Sequence, residues 1–380
     1  MRRITLDPRP EWRQKLAALG MELETGVTPG PASPYWAEDA AYVVRADAIE
    51  ALYSSIDELS GMVAAAVEHV IVGDRFAELG IPPELGQAAA ASWDADDLSL
   101  YGRFDLHWNG TGPPKLLEYN ADTPTALFEA AVVQWHWLEE RFPGADQYNS
   151  IHEGLIETWT RWRSEGRMVR VHFACVPEDD DDLITTAYLQ DTFVQAGLDG
   201  RLIDLADLGW DGRRFVDQAS EPVAALFKLY PWDWMAAEPF FPHLAKGPIQ
   251  MIEPAWRVVA ASKGLLAILW ELYPGHPCLL PASLDRSTIP GPAILKPLFG
   301  REGASMTIDD GAGARIAATD GAYGDMACVA QAFEPLPDFD GWHPVVGAWV
   351  IGGEARGIGI REERSLITGR GARFVPHLIG

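Results

Sequence analysis

Basic residues are scarce in this chain of 380 residues: 30 Lys and Arg stand against 55 Asp and Glu, a formal charge of −25. Such a field repels a phosphate backbone, so nucleic acid is not expected as a partner. It attracts cations, although an acid surplus also serves solubility alone. Cysteine is scarcer still. Cys175, Cys278 and Cys328 lie far apart in apolar surroundings without CxxC spacing, which predicts buried thiols in a reducing compartment and no disulfide frame. Long apolar runs are missing as well. The stretch Gly264–Trp270 stops at Glu271, far short of the roughly 20 residues of a membrane span. Behind Arg2 and Arg3, Trp12-Arg13-Gln14-Lys15 interrupts any apolar leader. A cytoplasmic chain with no membrane partner is the expectation.

Several chemistries are absent too. There is no GxxxxGK[ST] phosphate loop, no GxGxxG fingerprint and no HExxH, and the histidines never pair at metal-ligand spacing. Without a GxSxG elbow, an α/β-hydrolase nucleophile has no support.

What is present is ample core material, with 48% hydrophobic and 22% charged residues, enough for two or three docked units. The first hundred residues read mainly as helix, with Ile49, Leu52, Tyr53, Ile56, Leu59, Met62, Val63 and Val67 at three- and four-residue spacing. From Leu100 the period becomes two, and the turn Asn109-Gly-Thr-Gly-Pro-Pro leads to a second strand at Lys115–Tyr119, a β-hairpin. Asp122-Thr-Pro reads as the cap of a helix running to about Phe142. A βα unit follows, with strand Val169–Cys175 and a helix to about Ala196. Strands are expected near Arg201–Leu205 and Val223–Tyr230, a helix over Ala255–Tyr273, and strands at Ala293–Pro297, Cys328–Glu334 and Val345–Gly359, the last a hairpin turning at Gly352-Gly353. The antiparallel pairs of the second half favour α+β layers over a doubly wound parallel sheet.

Alternation places Arg103, Asp105 and His107 on one face of the first hairpin strand, with Glu118 and Asn120 sharing a face of its partner. Carboxylate and amide oxygens are hard ligands suited to Mg²⁺, and an arginine beside them could hold a carboxylate or phosphate. The helix start expected at Asp122–Thr125 would offer N–H groups to an anion. An ordinary antiparallel pair with cross-strand ion pairing has the same pattern. Lys228 and Lys296 each end an apolar strand and need a counter-charge, which ATP phosphates would supply. The loop Phe299–Ser305, with Gly300, Arg301, Gly303 and Ala304, suits closure over phosphates, and is equally readable as a plain hairpin loop. The acidic run Glu178–Asp182 is either a solvated helix cap or a cradle for an ammonium group. Fifteen tryptophans read as packing.

Six collinear segments carry a resemblance: Tyr101-Gly-Arg-Phe-Asp-Leu-His-Trp108, Leu116-Leu-Glu-Tyr-Asn-Ala-Asp-Thr-Pro-Thr125, Phe227-Lys-Leu-Tyr-Pro-Trp232, Glu253-Pro-Ala-Trp-Arg257, Lys296-Pro-Leu-Phe-Gly-Arg-Glu-Gly-Ala304 and Gly357-Ile-Gly-Ile-Arg-Glu362. Together they resemble the glutathionylspermidine synthetase family of ATP-grasp-type carboxylate–amine ligases. The resemblance implies an α+β, ATP-grasp-like fold with a preceding mixed α/β domain. It divides the chain into an N-terminal helical region (1–100), a substrate-binding region (101–225) and a nucleotide-binding region (226–380) interleaved with 101–125. It implies ATP and Mg²⁺, with Asp105, Glu118 and Asn120 as metal ligands and Lys228 and Lys296 as ATP-holding lysines. Gly300, Arg301, Gly303 and Ala304 would cover the phosphates, and Gln331, Ala332 and Phe333 would meet the adenine. Arg103 would hold substrate with Asp122, Thr123 and Thr125, Arg361 would lie near the transferred phosphoryl, and Asp180 and Asp181 would face the amine.

The implied reaction joins a thiol peptide such as glutathione to a polyamine such as spermidine through an acyl phosphate. Thr123 and Thr125 stand where serine is frequent in the family. No amidase activity is expected, since the family's N-terminal cysteine amidase has no counterpart segment. A non-catalytic ATP- or polyamine-binding regulator and a metal hydrolase using Asp105 and Glu118 remain alternatives, and the chain could act alone or as a homodimer.

Overall fold

A computed structural model describes residues 1–21, 34–177 and 180–380. Glu178 and Asp179 of the acidic run lie outside the described residues.

The apolar stripe at helical spacing forms the long helix Ala46–Val72, whose Ile49, Leu52, Ile56, Leu59, Met62, Val63 and Val67 are buried. Tyr53 of that stripe turns out to the surface, against the ring of Tyr148. The N-terminal hundred residues are not helical throughout. Arg2–Thr5 and Ala40–Val44 pair antiparallel, and the chain's last strand, His377–Ile379, adds parallel to Ala40–Val44.

The middle of the chain builds a four-stranded parallel sheet, Gln250–Ile252, Ala225–Lys228, Arg170–Cys175 and Asp199–Asp204, so one parallel layer sits inside the α+β architecture. Its faces are apolar: Phe173 and Phe227 lie at ring centroids 5.5 Å apart, and Trp159 meets Phe193 edge-on at 5.0 Å. Trp36, Trp137, Trp159, Trp232 and Trp349 are all fully buried, which settles them as packing.

Two five-stranded sheets flank the cleft described below. One runs Ala282–Ser283, Cys328–Ala332, Ala293–Pro297, Thr307–Asp309 and Arg315–Ala318. The other runs Arg373–Val375, Glu354–Glu363, His343–Ile351, Tyr101–His107 and Lys115–Asn120. The early hairpin thus joins the C-terminal hairpin edge to edge, with Asp105 opposite Gly347. That hairpin turns at Gly352 and Gly353, both at positive φ.

Two elements differ from expectation, each for a local reason. The helix after the early hairpin begins at Leu127, because Ala126 stands at φ +65, outside helical space, and the turn from Glu129 to Val133 is π-helical. The N–H groups of Asp122–Thr125 are therefore no helix N-terminus. The apolar stretch over Ala255–Tyr273 is two helices, Arg257–Ala261 and Leu265–Leu272, broken where Ser262 becomes extended and its hydroxyl donates to Leu79 O. The break puts Lys263 on a bend.

Asp122 does not cap a helix. Its carboxylate takes Lys228 Nζ at 2.5 Å and the Trp232 amide at 2.7 Å, and Lys228 is wholly buried, 4.7 Å from the Trp232 ring centroid. Burial lowers the Lys228 pKa, and Asp122 opposes that shift. This pair ties the parallel sheet to the end of the early hairpin.

Removing one partner of a buried ion pair leaves the other charge stranded, at about 3–5 kcal/mol. Lys228→Ala is therefore expected to lose about that much stability in urea unfolding. A loss under about 0.5 kcal/mol would show that the pair anchors nothing.

Candidate active site

The two five-stranded sheets enclose a cleft of about 340 Å³, within the roughly 300–1,000 Å³ of small-molecule sites. Its floor is the early hairpin. Asp105 faces Glu118 and Arg103 faces Asn120 in the strand register, so the four polar chains share one face, as alternation requires. The register slips between Asp105 and Leu106, leaving Leu117 as a bulge residue. Its carbonyl accepts from Lys296 Nζ at 2.7 Å, so the irregularity supplies a wall contact that a regular ladder would consume.

Asp105 is the hub. Arg103 Nε and Nη2 donate to its two oxygens at 2.6 and 3.1 Å, and Arg361 Nη2 donates to Oδ2 at 2.7 Å. Arg361 belongs to strand Glu354–Glu363 and reaches past Gly347 and Gly359, which stand opposite each other without side chains. A Cβ on Gly347 would come within 2.8 Å of Arg103 Cδ, so the space the arginines cross is kept open by glycine. Arg103 Nη1 also donates to Thr125 O at 2.5 Å, tying the 122–125 segment to the hub.

Glu118 takes Lys263 Nζ at 3.0 Å, and Asn120 Nδ2 reaches Asp105 Oδ2 at 3.2 Å and Glu118 Oε1 at 3.4 Å. Burial alone would raise the Glu118 pKa, but Lys263 and Lys296 outweigh it and hold the carboxyl at about 2. Burial pulls Lys296 down to about 8, against the opposing charge of Glu118. Lys296 Nζ also donates to Gln331 Oε1 at 2.8 Å, while Gln331 Nε2 donates to Leu116 O at 2.9 Å. The glutamine side chain therefore joins the two sheets. Ala332 and Phe333 line the cleft beside it, their amides donating to Pro281 and Pro292 carbonyls.

The glycine loop closes one side. Gly300, Arg301 and Gly303 line the cleft, whereas Ala304 does not and spends its amide on Arg301 O. Gly303 is at φ +68, and a Cβ there would sit 2.3 Å from Thr368 O, so glycine permits close contact with the loop after strand Glu354–Glu363. Arg301 pairs with Asp233 and lies 4.8 Å from the Trp234 ring centroid. Thr123 and Thr125 are also wall residues.

Three expected placements differ. Lys228 is buried against Asp122 and is not a cleft residue; the second lysine of the cleft is Lys263, whose Nζ bonds Glu118 and Gly300 O. Of the acidic run it is Asp182 that lines the cleft, while Asp180 and Asp181 are exposed in the first turn of helix Asp180–Gln195. His107, past the bulge, bonds Pro335 O at 3.0 Å and leaves the hub.

Four cations, Arg103, Lys263, Lys296 and Arg361, thus converge on two carboxylates within a protein of charge −25. Around those two carboxylates the cations are in excess, which suits a polyanion, whereas the full cleft wall, which adds Arg301 and Arg370 and also Asp122, Asp182, Glu302 and Glu334, has no excess of either sign. The Asp105 and Glu118 carboxylates, both within reach of Asn120 Nδ2, are hard oxygen donors, as is the oxygen of the same Asn120 amide, a set that fits Mg²⁺, which is normally held by one or two carboxylates together with phosphates. Among the described residues no group of three or more His, Cys, Asp or Glu is placed to hold a metal ion, so a metal here would depend on ligand oxygens as well.

The family described as glutathionylspermidine synthase preATP-grasp matches residues 3–380. The chain is 35% identical to a Haemophilus influenzae protein assigned as an acid–amine ligase, over 99% of both chains. It is 29% identical to the trypanothione synthetase of Crithidia fasciculata, over 79% of this chain and 50% of that one. Against the bifunctional glutathionylspermidine synthetase/amidase of Escherichia coli the identity is 26%, over 89% of this chain and 59% of the other. Among solved structures, a glutathione synthetase-like effector from Globodera pallida shares the fold at a TM-score of 0.55, with 9% identity and 89% of each chain covered.

The cluster of Arg103, Arg361, Lys263 and Lys296 predicts that inorganic tripolyphosphate binds without metal and raises the melting temperature. Losing one charged donor costs about 1.5–3 kcal/mol, so Lys263→Ala and Lys296→Ala should each weaken binding at least tenfold. At pH 8 Lys296 is about half protonated, and a neighbouring polyanion raises its pKa, so binding takes up a fraction of a proton. Calorimetry in buffers of different ionisation enthalpy reads that uptake, which Lys296→Met should abolish. Uptake unchanged in Lys296→Met would remove Lys296 from the phosphate site.

Proposed function

The chain belongs to the glutathionylspermidine synthase preATP-grasp family, and from that membership we propose that it is an ATP-dependent acid–amine ligase working in the cleft between the two five-stranded sheets. The observation that carries the reading is the convergence of Arg103, Arg361, Lys263 and Lys296 on the Asp105–Glu118 face. No nucleophilic side chain is required, because phosphoryl transfer is mostly positioning and charge neutralisation.

In this reading a carboxylate oxygen of the acid attacks the γ-phosphorus of ATP and ADP leaves. The amine nitrogen then attacks the acyl carbon, inorganic phosphate leaves, and the amide forms with loss of one proton. Lys263 and Lys296 hold phosphate oxygens, and Gln331, Ala332 and Phe333 border the base. The loop carrying Gly300, Arg301 and Gly303 screens the phosphates from water. Arg103 and Arg361 face the phosphoryl group in transfer, where a developing charge is best stabilised by donors already in place. Asp105, Glu118 and Asn120 would hold Mg²⁺, which supplies charge neutralisation on the phosphates when bound.

Glutathione and spermidine are the nominal substrates, on the names of the relatives. Thr123 and Thr125 with Asp122 border the acid, and Asp182 gives the acidic run its place in the cleft wall for a cationic amine. In metal-containing buffer, ADP release is expected only when acid and amine are both supplied, with a product lighter than their sum by one water in mass spectrometry. ADP released at the same rate without either substrate would contradict ligation, and amide formed without ATP would make the cleft a different catalyst.

A further inference from the structure

Behind the hairpin, on the face turned from the cleft, lies a second set of buried charges. Glu253 is wholly buried, takes the amides of Leu100 and Tyr101 at 2.9 and 3.1 Å and the Ser99 hydroxyl, and pairs with Arg257 Nε at 3.3 Å. The Arg257 guanidinium donates from Nε to Ala121 O at 2.6 Å, from Nη1 to the Tyr119 hydroxyl at 3.0 Å, and from Nη2 to Tyr101 O. One planar group therefore holds the first residue of strand Tyr101–His107 and the residue just after strand Lys115–Asn120. Arg103, Asp105, Glu118 and Asn120 all lie between those two grips.

Room for the guanidinium is made by Gly102, whose Cβ would stand 2.4 Å from the Tyr119 hydroxyl and 2.6 Å from Arg257 Nη2. Tyr119 in turn stacks on Phe104 at 4.1 Å between centroids. The bulge at Leu117 interrupts the ladder between the two strands, and the guanidinium bridges them independently of it.

We propose that Arg257, oriented by Glu253, is a positioning residue that fixes the spacing of Asp105, Glu118 and Asn120 for a divalent metal. The inference rests on the ligase reading above. Arginine is needed for its fork: lysine keeps the charge against Glu253 but is a point donor that does not span both carbonyls.

The test compares binding of Mg²⁺–ATP with binding of ATP in excess chelator, by calorimetry on wild type and Arg257→Lys, with amide hydrogen exchange of Tyr101–His107 and Lys115–Asn120 as a second readout. Wild type is expected to bind Mg²⁺–ATP at least tenfold more tightly than metal-free ATP. Arg257→Lys is expected to lose at least tenfold toward Mg²⁺–ATP, to stay within twofold toward metal-free ATP, and to exchange faster in both strands. Equal loss toward both ligands, or no loss, overturns the proposal while leaving the ligase reading intact. A wild type indifferent to metal overturns both. Should Arg257→Lys fail to fold, Tyr119→Phe removes a single contact of the guanidinium, and a two- to fivefold loss confined to Mg²⁺–ATP is then expected; unchanged binding overturns the proposal.

Discussion

A β-strand carries its side chains alternately to opposite faces, so slipping Lys115–Asn120 by one residue along Tyr101–His107 would turn Glu118 and Asn120 away from Arg103, Asp105 and the cleft. The hairpin is held against that slip from three directions. Strand His343–Ile351 pairs with Tyr101–His107, Arg257 grips the hairpin from behind through the Tyr119 hydroxyl and Ala121 O, and Lys228 fastens Asp122 just beyond its end. The front face is thereby freed for polar chains that do little packing. Arg361 is backed in the same way: its neighbour Glu362, on the opposite face, is wholly buried and held by Arg3, Arg373 and the Tyr42 hydroxyl.

The cleft trades folding stability for readiness. Lys296 is kept from water by Leu117, Gln331 and the sheet around it, and burial makes its charge costly until an anion arrives. Glu118 shows the reverse balance, its charge favoured by two lysines despite burial. In a protein whose outer field is strongly negative, the cations gathered from several elements around Asp105 and Glu118 are what would draw a nucleotide inward. The acidic exterior, with Asp182 at the rim, suits a cationic partner.

Much of this was legible in the chain itself. Period-two alternation over 100–120 is strong enough to place four site residues on one face, and the glycine pair at Gly352-Gly353 marks the second hairpin. The bulge was not legible, because Leu117 looks like any strand residue until its partner strand is known. Lys228 and Lys296 end similar apolar strands and cannot be told apart locally; Asp122, 106 residues from Lys228 in sequence, makes one an anchor. Lys263 was hidden inside what reads as one apolar helix, where the only signal is Ser262 before it and Gly264 after it, a polar and flexible break in an otherwise helical pattern. Asp122-Thr-Pro carries the cap signature, and the long-range lysine overrode it, with Ala126 at positive φ delaying the helix.

In the proposed reaction the cations around Asp105 and Glu118 serve transfer of a phosphoryl group to a carboxylate, and an amine then displaces phosphate from the acyl phosphate so formed. Isotope transfer reads this most directly. The acid, with glutathione as first choice, is labelled with ¹⁸O in its carboxylate and turned over with ATP, Mg²⁺ and the amine, and the released phosphate is analysed by mass spectrometry. One ¹⁸O atom is expected in phosphate for each amide formed. Amide formation with unlabelled phosphate would contradict it.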